Sequence, residues 1–214
     1  MLIIAGCISG DRIATPAQSS AVGPSTSVAQ PTEPQRTSVV VVGDSITDGS
    51  RTQLADALAF AGFTDVIIDS ASGRRITIGD GTTEPLAGVA TLQSVIEIGA
   101  SPDVWVFALG SNDVGKYPLS EYGPLLDSMI DQIPADAPLV WVDVYVEHDL
   151  DGTAQFNEVI RSRLDDRGHA TAASWFQFAS DPDAAVLQDD RLHPNDAGRI
   201  RFAAVITEAA LSTR

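Results

Sequence analysis

Four short stretches of this sequence carry side chains suited to acyl chemistry. Gly43-Asp44-Ser45-Ile46-Thr47, Ser70-Ala71-Ser72-Gly73-Arg74 and Gly110-Ser111-Asn112-Asp113 each follow an apolar run. Asp190-Arg191-Leu192-His193-Pro194 stands shortly before the last helical pattern. A serine hydroxyl is a weak nucleophile until a base takes its proton. His193 suits that role, because an ordinary imidazole titrates at ~6.5, close to working pH. A carboxylate must then hold the ring in one tautomer and stabilise the imidazolium. Asp190 lies three residues before His193, so one turn of backbone brings its carboxylate to the ring. Asp189 is a rival that the Asp-x-x-His spacing disfavours. The tetrahedral intermediate carries an oxyanion and needs fixed donors. The backbone N–H groups of Ser45 and Gly73 and the side-chain amide of Asn112 supply candidates.

The chain that positions these groups alternates apolar runs with helical patterns. Residues 38–42, 65–68, 103–109, 139–145 and 170–176 read as strands, and 52–61, 85–98, 119–133, 153–166 and 195–211 as helices. The last helix is expected to turn Ile200, Ala203, Ala204 and Ala210 inward. Short strands separated by helices imply a parallel sheet covered on both faces. The expected fold is therefore a three-layer α/β/α sandwich around a central five-stranded parallel sheet. The unbroken apolar character of 39–42 and 104–109 fits strands buried on both sides. Ligands of such sheets sit beyond the carboxyl ends of the strands, which is where three of the stretches fall.

Taken together, the four blocks resemble the SGNH hydrolase family, also called GDSL-type esterases and lipases. The likeness runs from Val39 to Ala210, with the blocks in the family's order. Gly43 to Thr47 is similar to the family's nucleophile motif, and Gly73 to its second-block glycine. Gly110-Ser111-Asn112-Asp113 is similar to the Gly-x-Asn-Asp block, and Asp190 with His193 to the closing Asp-x-x-His. The resemblance implies a flavodoxin-like α/β/α fold and a triad of Ser45, Asp190 and His193. It also implies an oxyanion hole of Ser45, Gly73 and Asn112, and chemistry that needs no cofactor and no metal. Position 47 is Thr, so the Gly-x-Ser-x-Gly elbow of the ordinary α/β-hydrolase is not present.

Other polar residues near these blocks read as structural. Asp44 braces the nucleophile turn and Asp113 serves its own turn. His148 and His169 read as surface or loop residues. Trp105, Trp141 and Trp175 read as packing. Arg74 is a candidate contact for an anionic substrate group; pairing of Arg74 and Arg75 with the chain's many acids is the alternative.

Composition narrows the classes of partner. The chain has 214 residues, with 29 acidic and 13 basic side chains and a net charge of −16. That argues against nucleic acid as a main partner and against electrostatic attachment to anionic lipid. A single cysteine excludes an internal disulfide and a multi-cysteine metal cluster. Residues 8–37 are rich in Ser, Thr, Ala, Gln and Pro and show no apolar period, so a disordered linker is expected. Ile4-Ala5-Gly6-Cys7 resembles the lipobox of bacterial lipoproteins, with Cys7 as the lipidated residue. Residues 1–7 then read as the remnant of a signal, 8–37 as a tether and 38–214 as the catalytic domain. The basic n-region of such a signal is missing. A start upstream of Met1 would supply it, whereas a true start at Met1 leaves the protein in the cytoplasm.

The small domain, with few insertions, implies a shallow acyl pocket. The expectation is a monomeric serine esterase that acts on short-chain esters, acetyl above all, of a small molecule or an envelope glycan. It is expected outside the cytoplasm, held at the membrane only through an N-terminal lipid. Two alternatives remain: an O-acetyltransferase that passes the acyl group to a glycan hydroxyl, and a glycan-binding protein without catalysis.

Overall fold

Four consecutive valines, Val39 to Val42, begin the ordered core. Their β-branched side chains favour extended backbone, and all four are buried. A strand that buries both faces must lie inside a sheet with cover on each side. The computed structural model describes residues 36–213 and places this strand, β1 (Ser38–Gly43), between two others. The remaining strands are β2 (Asp65–Ser70), β3 (Val104–Ala108), β4 (Leu139–Val142) and β5 (Ala170–Ala173). All pairings are parallel, in the order β2-β1-β3-β4-β5. The domain is thus a three-layer α/β/α sandwich with a five-stranded parallel sheet, as the alternating pattern predicts.

Seven α-helices complete the described residues: α1 (Ser45–Gly49), α2 (Arg51–Phe60), α3 (Gly88–Glu97), α4 (Leu119–Ile130), α5 (Leu150–Arg167), α6 (Phe176–Ala179) and α7 (Asp196–Ser212). Alternation along each strand divides the core. Val40, Val42, Trp105, Phe107 and Trp141 face α3, α4 and α5, where Leu126, Phe156 and Ile160 meet them. Val39, Val41, Val104 and Val106 face α2 and α7, against Leu54, Leu58, Phe202 and Ile206. Aromatic pairs lock each layer edge to face: Phe107 with Trp141 at 5.3 Å, and Trp175 with Phe202 at 5.3 Å.

Three expectations need correction. The fourth strand ends at Val142 rather than at 145, because the Asp143 side chain turns aside to accept the Phe176 N–H at 2.6 Å. The fifth ends at Ala173, where the Trp175 N–H bonds back to the Ala173 carbonyl at 2.9 Å and starts the turn into α6. Ile200 does not face inward: it is 64% exposed. It sits six positions before Ile206, about two-thirds of a turn away at ~3.6 residues per turn. Phe202, Val205, Ile206 and Ala209 carry the buried face instead, with Ala203 and Ala210, while Ala204 is only half-buried. The expected signal remnant and almost all of the expected linker, residues 1–35, lie outside the described residues.

Gly110, at the start of the turn after β3, shows how closely the loops pack on this core. Its φ is +125°, and a Cβ there would lie 2.4 Å from Phe156 Cε1. Gly110→Ala combines backbone strain with overpacking. It is expected to cost about 2–4 kcal/mol, read as a lower urea midpoint at unchanged m-value.

Candidate active site

The nucleophile turn begins where β1 ends. Gly43 has no room for a side chain, since a Cβ would lie 2.3 Å from Thr47 Oγ1. Asp44 follows as the N-cap of α1, its carboxylate accepting the Ile46 N–H at 2.9 Å. Ser45 is therefore the first residue of a helix at the carboxyl edge of the sheet. Its hydroxyl meets His193 Nε2 at 3.0 Å, and His193 Nδ1 meets Asp190 Oδ2 at 2.7 Å. An ionised carboxylate can only accept, so the proton sits on Nδ1 and Nε2 is free to accept from the serine.

The loop before α7 holds these groups by short-range bonds. Asp190 Oδ1 accepts the N–H groups of Leu192 at 3.0 Å and His193 at 2.9 Å. The His193 backbone N–H, the His193 ring and the Leu192 N–H together lower the Asp190 pKa to about 2, so it stays charged. Arg191, between them, has φ +58° and reaches across to Glu147 at 2.7 Å. Gln188 donates twice to the far end of the turn: its N–H to the His193 carbonyl at 2.8 Å and its side chain to the Pro194 carbonyl at 2.9 Å. Asn195 then caps α7 through the Gly198 N–H at 3.0 Å.

The turns that carry Gly73 and Asn112, two of the expected oxyanion donors, follow the strands on either side of β1. Gly73 follows β2 with φ +76°, in a turn that an L side chain adopts poorly. Asn112 follows β3 and donates one amide N–H to the Arg74 carbonyl at 3.1 Å. Its second N–H remains to meet a ligand. Asp113 makes a second tie between the same two turns. It is fully buried and accepts from Ile76 N–H at 3.1 Å and Arg75 Nε at 3.3 Å. Burial raises its pKa to about 6 in spite of those bonds. The Ser111 hydroxyl donates to Asp44, which links the β3 turn to the nucleophile turn. Burial also pushes the Asp44 carboxyl upward, against the pull of Ser111, Ile46 and the nearby His193.

Arg74 departs from its expected role as a substrate contact. It is 4% exposed, and its guanidinium is used inside the protein. It donates to the carbonyls of Leu86 at 3.0 Å, Gly43 at 3.2 Å and Asp69 at 2.8 Å, and pairs with the Asp69 carboxylate at 2.7 Å. A cation so placed would leave three carbonyls and a carboxylate unsatisfied if it swung out to a ligand. Arg75 pairs with Asp113 and lies 5.2 Å from the Tyr117 ring centroid. His148 is exposed in a turn after β4, His169 immediately precedes β5, and the three tryptophans are buried. Cys7 lies outside the described residues. Among the described residues no group of three or more His, Cys, Asp or Glu side chains could hold a metal ion. None of their helices is long and apolar enough to cross a membrane.

Sequence reasoning did not find the bracing roles of Ser111 and Glu147, and it offered the pairing of Arg74 with an acid only as the alternative to substrate contact. Ser111 occupies the variable position of its block, and nothing in local sequence separates a buried arginine from an exposed one.

The buried acids set a pH dependence of stability. Asp113 and Asp143 both have pKa values raised to about 6, chiefly by burial, whereas an unfolded aspartate titrates near ~3.9. Between those values the folded state binds more protons, so these groups add stability as pH falls from 7 towards 5. Asp113→Asn is expected to flatten that rise, as measured by urea midpoints at pH 7, 6 and 5.

Comparison with known proteins agrees with this geometry. Residues 41–199 match the model of the GDSL-like lipase/acylhydrolase family. No curated protein gives a significant match. Among solved structures, the C-terminal catalytic domain of Streptococcus pneumoniae peptidoglycan O-acetyltransferase A superposes with TM-score 0.64 at 17% identity, covering 81% of this chain and 92% of that one. A carbohydrate acetylesterase from Sinorhizobium meliloti gives 0.61 at 15% identity, covering 81% and 97%. A family 3 carbohydrate esterase from Clostridium thermocellum gives 0.58 at 18%, covering 82% and 95%. At these identities the structural matches speak for the fold, and the family match speaks for the chemistry. The chain belongs to the GDSL-like lipase/acylhydrolase family and is an SGNH-type hydrolase of carboxylic esters.

Proposed function

We propose that this chain is a serine esterase that removes short acyl groups, acetyl above all, from hydroxyls of a carbohydrate in the cell envelope. The observation that carries the reading is the aligned series of Ser45, His193 and Asp190, with contacts of 3.0 Å and 2.7 Å, beside the Gly73 and Asn112 turns. Ser45 Oγ attacks the ester carbonyl while Nε2 of His193 takes its proton. The oxyanion meets the N–H groups of Ser45 and Gly73 and the amide of Asn112. Collapse of the tetrahedral intermediate expels the alcohol, which leaves with the proton from Nε2. Water, deprotonated by the same nitrogen, attacks the acyl-Ser45 carbonyl and releases the acid. Asp190 holds the ring and stabilises its charged form at both stages.

Openness favours small acyl groups on a large alcohol. The side chains of His193 and Asp190 are 34% and 49% exposed, a rim that a bulky glycan can approach. Two of the structural neighbours carry carbohydrate esterase in their descriptions, which supports a sugar ester as the substrate class. The peptidoglycan O-acetyltransferase domain favours a second reading, in which a sugar hydroxyl replaces water at the deacylation step. The complete triad speaks against a glycan-binding protein without catalysis. No nucleic acid partner and no cofactor enters the reading, and the working unit is a monomer.

The protein acts outside the cytoplasm, tethered through a lipid on Cys7. Incorporation of an alkynyl palmitate into the full chain expressed from its own upstream sequence is expected, and its persistence in Cys7→Ala would refute the tether.

Hydrolysis of p-nitrophenyl acetate tests the chemistry. Ser45→Ala is expected to lose about 10⁴-fold or more in kcat. A reaction that needs a neutral imidazole as general base should also lose rate from pH 8 to pH 5, and a flat profile would count against that base. Addition of a chito-oligosaccharide acceptor separates the two readings. Release of acetate alone supports the esterase, and acetylated oligosaccharide supports the transferase.

A further inference from the structure

A small cavity lies against the inner side of the nucleophile turn, with about 10 Å³ open to the centre of a water molecule. Its polar lining is Asp44, Ser111, Asp143 and Trp175, and the rest is apolar, with Ile46 and Phe202 among its walls. Trp175 is 1% exposed, and its indole N–H has no acceptor among the described residues. Buried donors are almost always satisfied, by protein or by ordered water. Asp143 is buried beside it and accepts the Phe176 N–H. A carboxylate has lone pairs for more than one donor. Ser111 donates its proton to Asp44, and its oxygen can still accept.

One donor lacking an acceptor, on a cavity also lined by two side chains whose oxygens have spare lone pairs, matches the bonding capacity of a single water. Such a water accepts once and donates twice, and buried waters typically make about three hydrogen bonds. The space also suits one water, which needs roughly 10–15 Å³ by this measure. We propose that the cavity is a built site for one water molecule that accepts from the Trp175 indole and donates to Asp143 and Ser111, making Trp175 and Ser111 positioning residues for Ser45.

The influence on Ser45 runs through named bonds. The water fixes the Ser111 hydroxyl, whose proton goes to Asp44. Asp44 in turn caps α1 at Ile46, one residue beyond Ser45. None of these groups touches the reacting atoms. A water donating to Asp143 also favours its charged form, against the burial that raises its pKa. The positioning role rests on Ser45 being the esterase nucleophile, whereas the water site does not.

Two measurements on the full chain test the inference. In the first, magnetisation exchange between bulk-exchangeable water and indole N–H protons is recorded by NMR, with Trp175 assigned by Trp175→Phe. A dipolar cross-peak from water to the Trp175 indole is expected, and none to Trp141, whose indole donates to the Leu109 carbonyl at 3.0 Å. A Trp175 indole without that cross-peak overturns the site. In the second, kcat and KM for p-nitrophenyl acetate are compared across variants. Trp175→Phe and Ser111→Ala are expected to lower kcat about fivefold at unchanged KM. Ser111→Thr, which keeps the hydroxyl, is expected to restore kcat. Unchanged kcat in Ser111→Ala overturns the positioning role. Should Trp175→Phe fail to fold, the wild-type cross-peak, assigned by elimination against Trp105→Phe and Trp141→Phe, and the Ser111 pair still decide. A wild-type chain with no esterase activity would refute the proposed function and leave the water result standing.

Discussion

A single hydrogen bond, from the Ser45 hydroxyl to His193 Nε2, joins parts of the chain 148 residues apart. Every layer of the fold contributes to making it possible. Ser45 is fixed by the end of β1, and His193 by the loop that leads into α7. Those two elements meet because α7 packs on the same face of the sheet as α2, over Val39 and Val41. Loss of that face would leave both groups intact and several ångströms too far apart to exchange a proton.

Strand order decides what stands beside the serine. With β1 lying between β2 and β3, the turns after its two neighbours flank the nucleophile. One brings Gly73 and the other Asn112. In the order β2-β1-β3-β4-β5 the direction of winding reverses between β1 and β3, which opens a crevice at the carboxyl edge. Ser45 and Asn112 sit on the two sides of that crevice. The Gly73 and Asn112 turns are thus placed by topology first and by side-chain bonds second.

Buried charge then makes the placement rigid. Asp113 spans from the β3 turn to the β2 turn, Arg74 from the β2 turn back to Gly43, and Asp44 from the nucleophile turn to Ser111. Each group carries a desolvation penalty that is offset only while its partners stay in place. A partly open site would leave them unsatisfied, so the three turns move together or not at all. The exposed Asp190 is different. Its charge is held by N–H groups from its own loop, a local device that needs no burial.

Much of this was legible in the linear chain, and the reason is locality. Strand runs such as 39–42 and 104–109 declare themselves because each residue must be apolar on both faces. The nucleophile turn, the Gly73 turn and the Asp-x-x-His loop declare themselves because their chemistry is written in neighbouring residues. The ends of β4 and β5 were less legible, since the Asp143 side chain turns aside to the Phe176 N–H and the Trp175 N–H bonds back to the Ala173 carbonyl. The direction of Ile200 was not legible because a helix rich in alanine offers two plausible faces, and only the sheet selects one.

The ordering of residue types along the chain settled the fold class and pointed to the residues of the site, because each depends on short-range patterning repeated at successive strand ends. Contacts between distant segments settled the rest. They turned Arg74 inward, tied Ser111 to Asp44 and left a small, mostly apolar cavity beside the nucleophile turn. Burial and side-chain direction depend on what the remainder of the molecule packs against a residue, and no window of sequence contains that information.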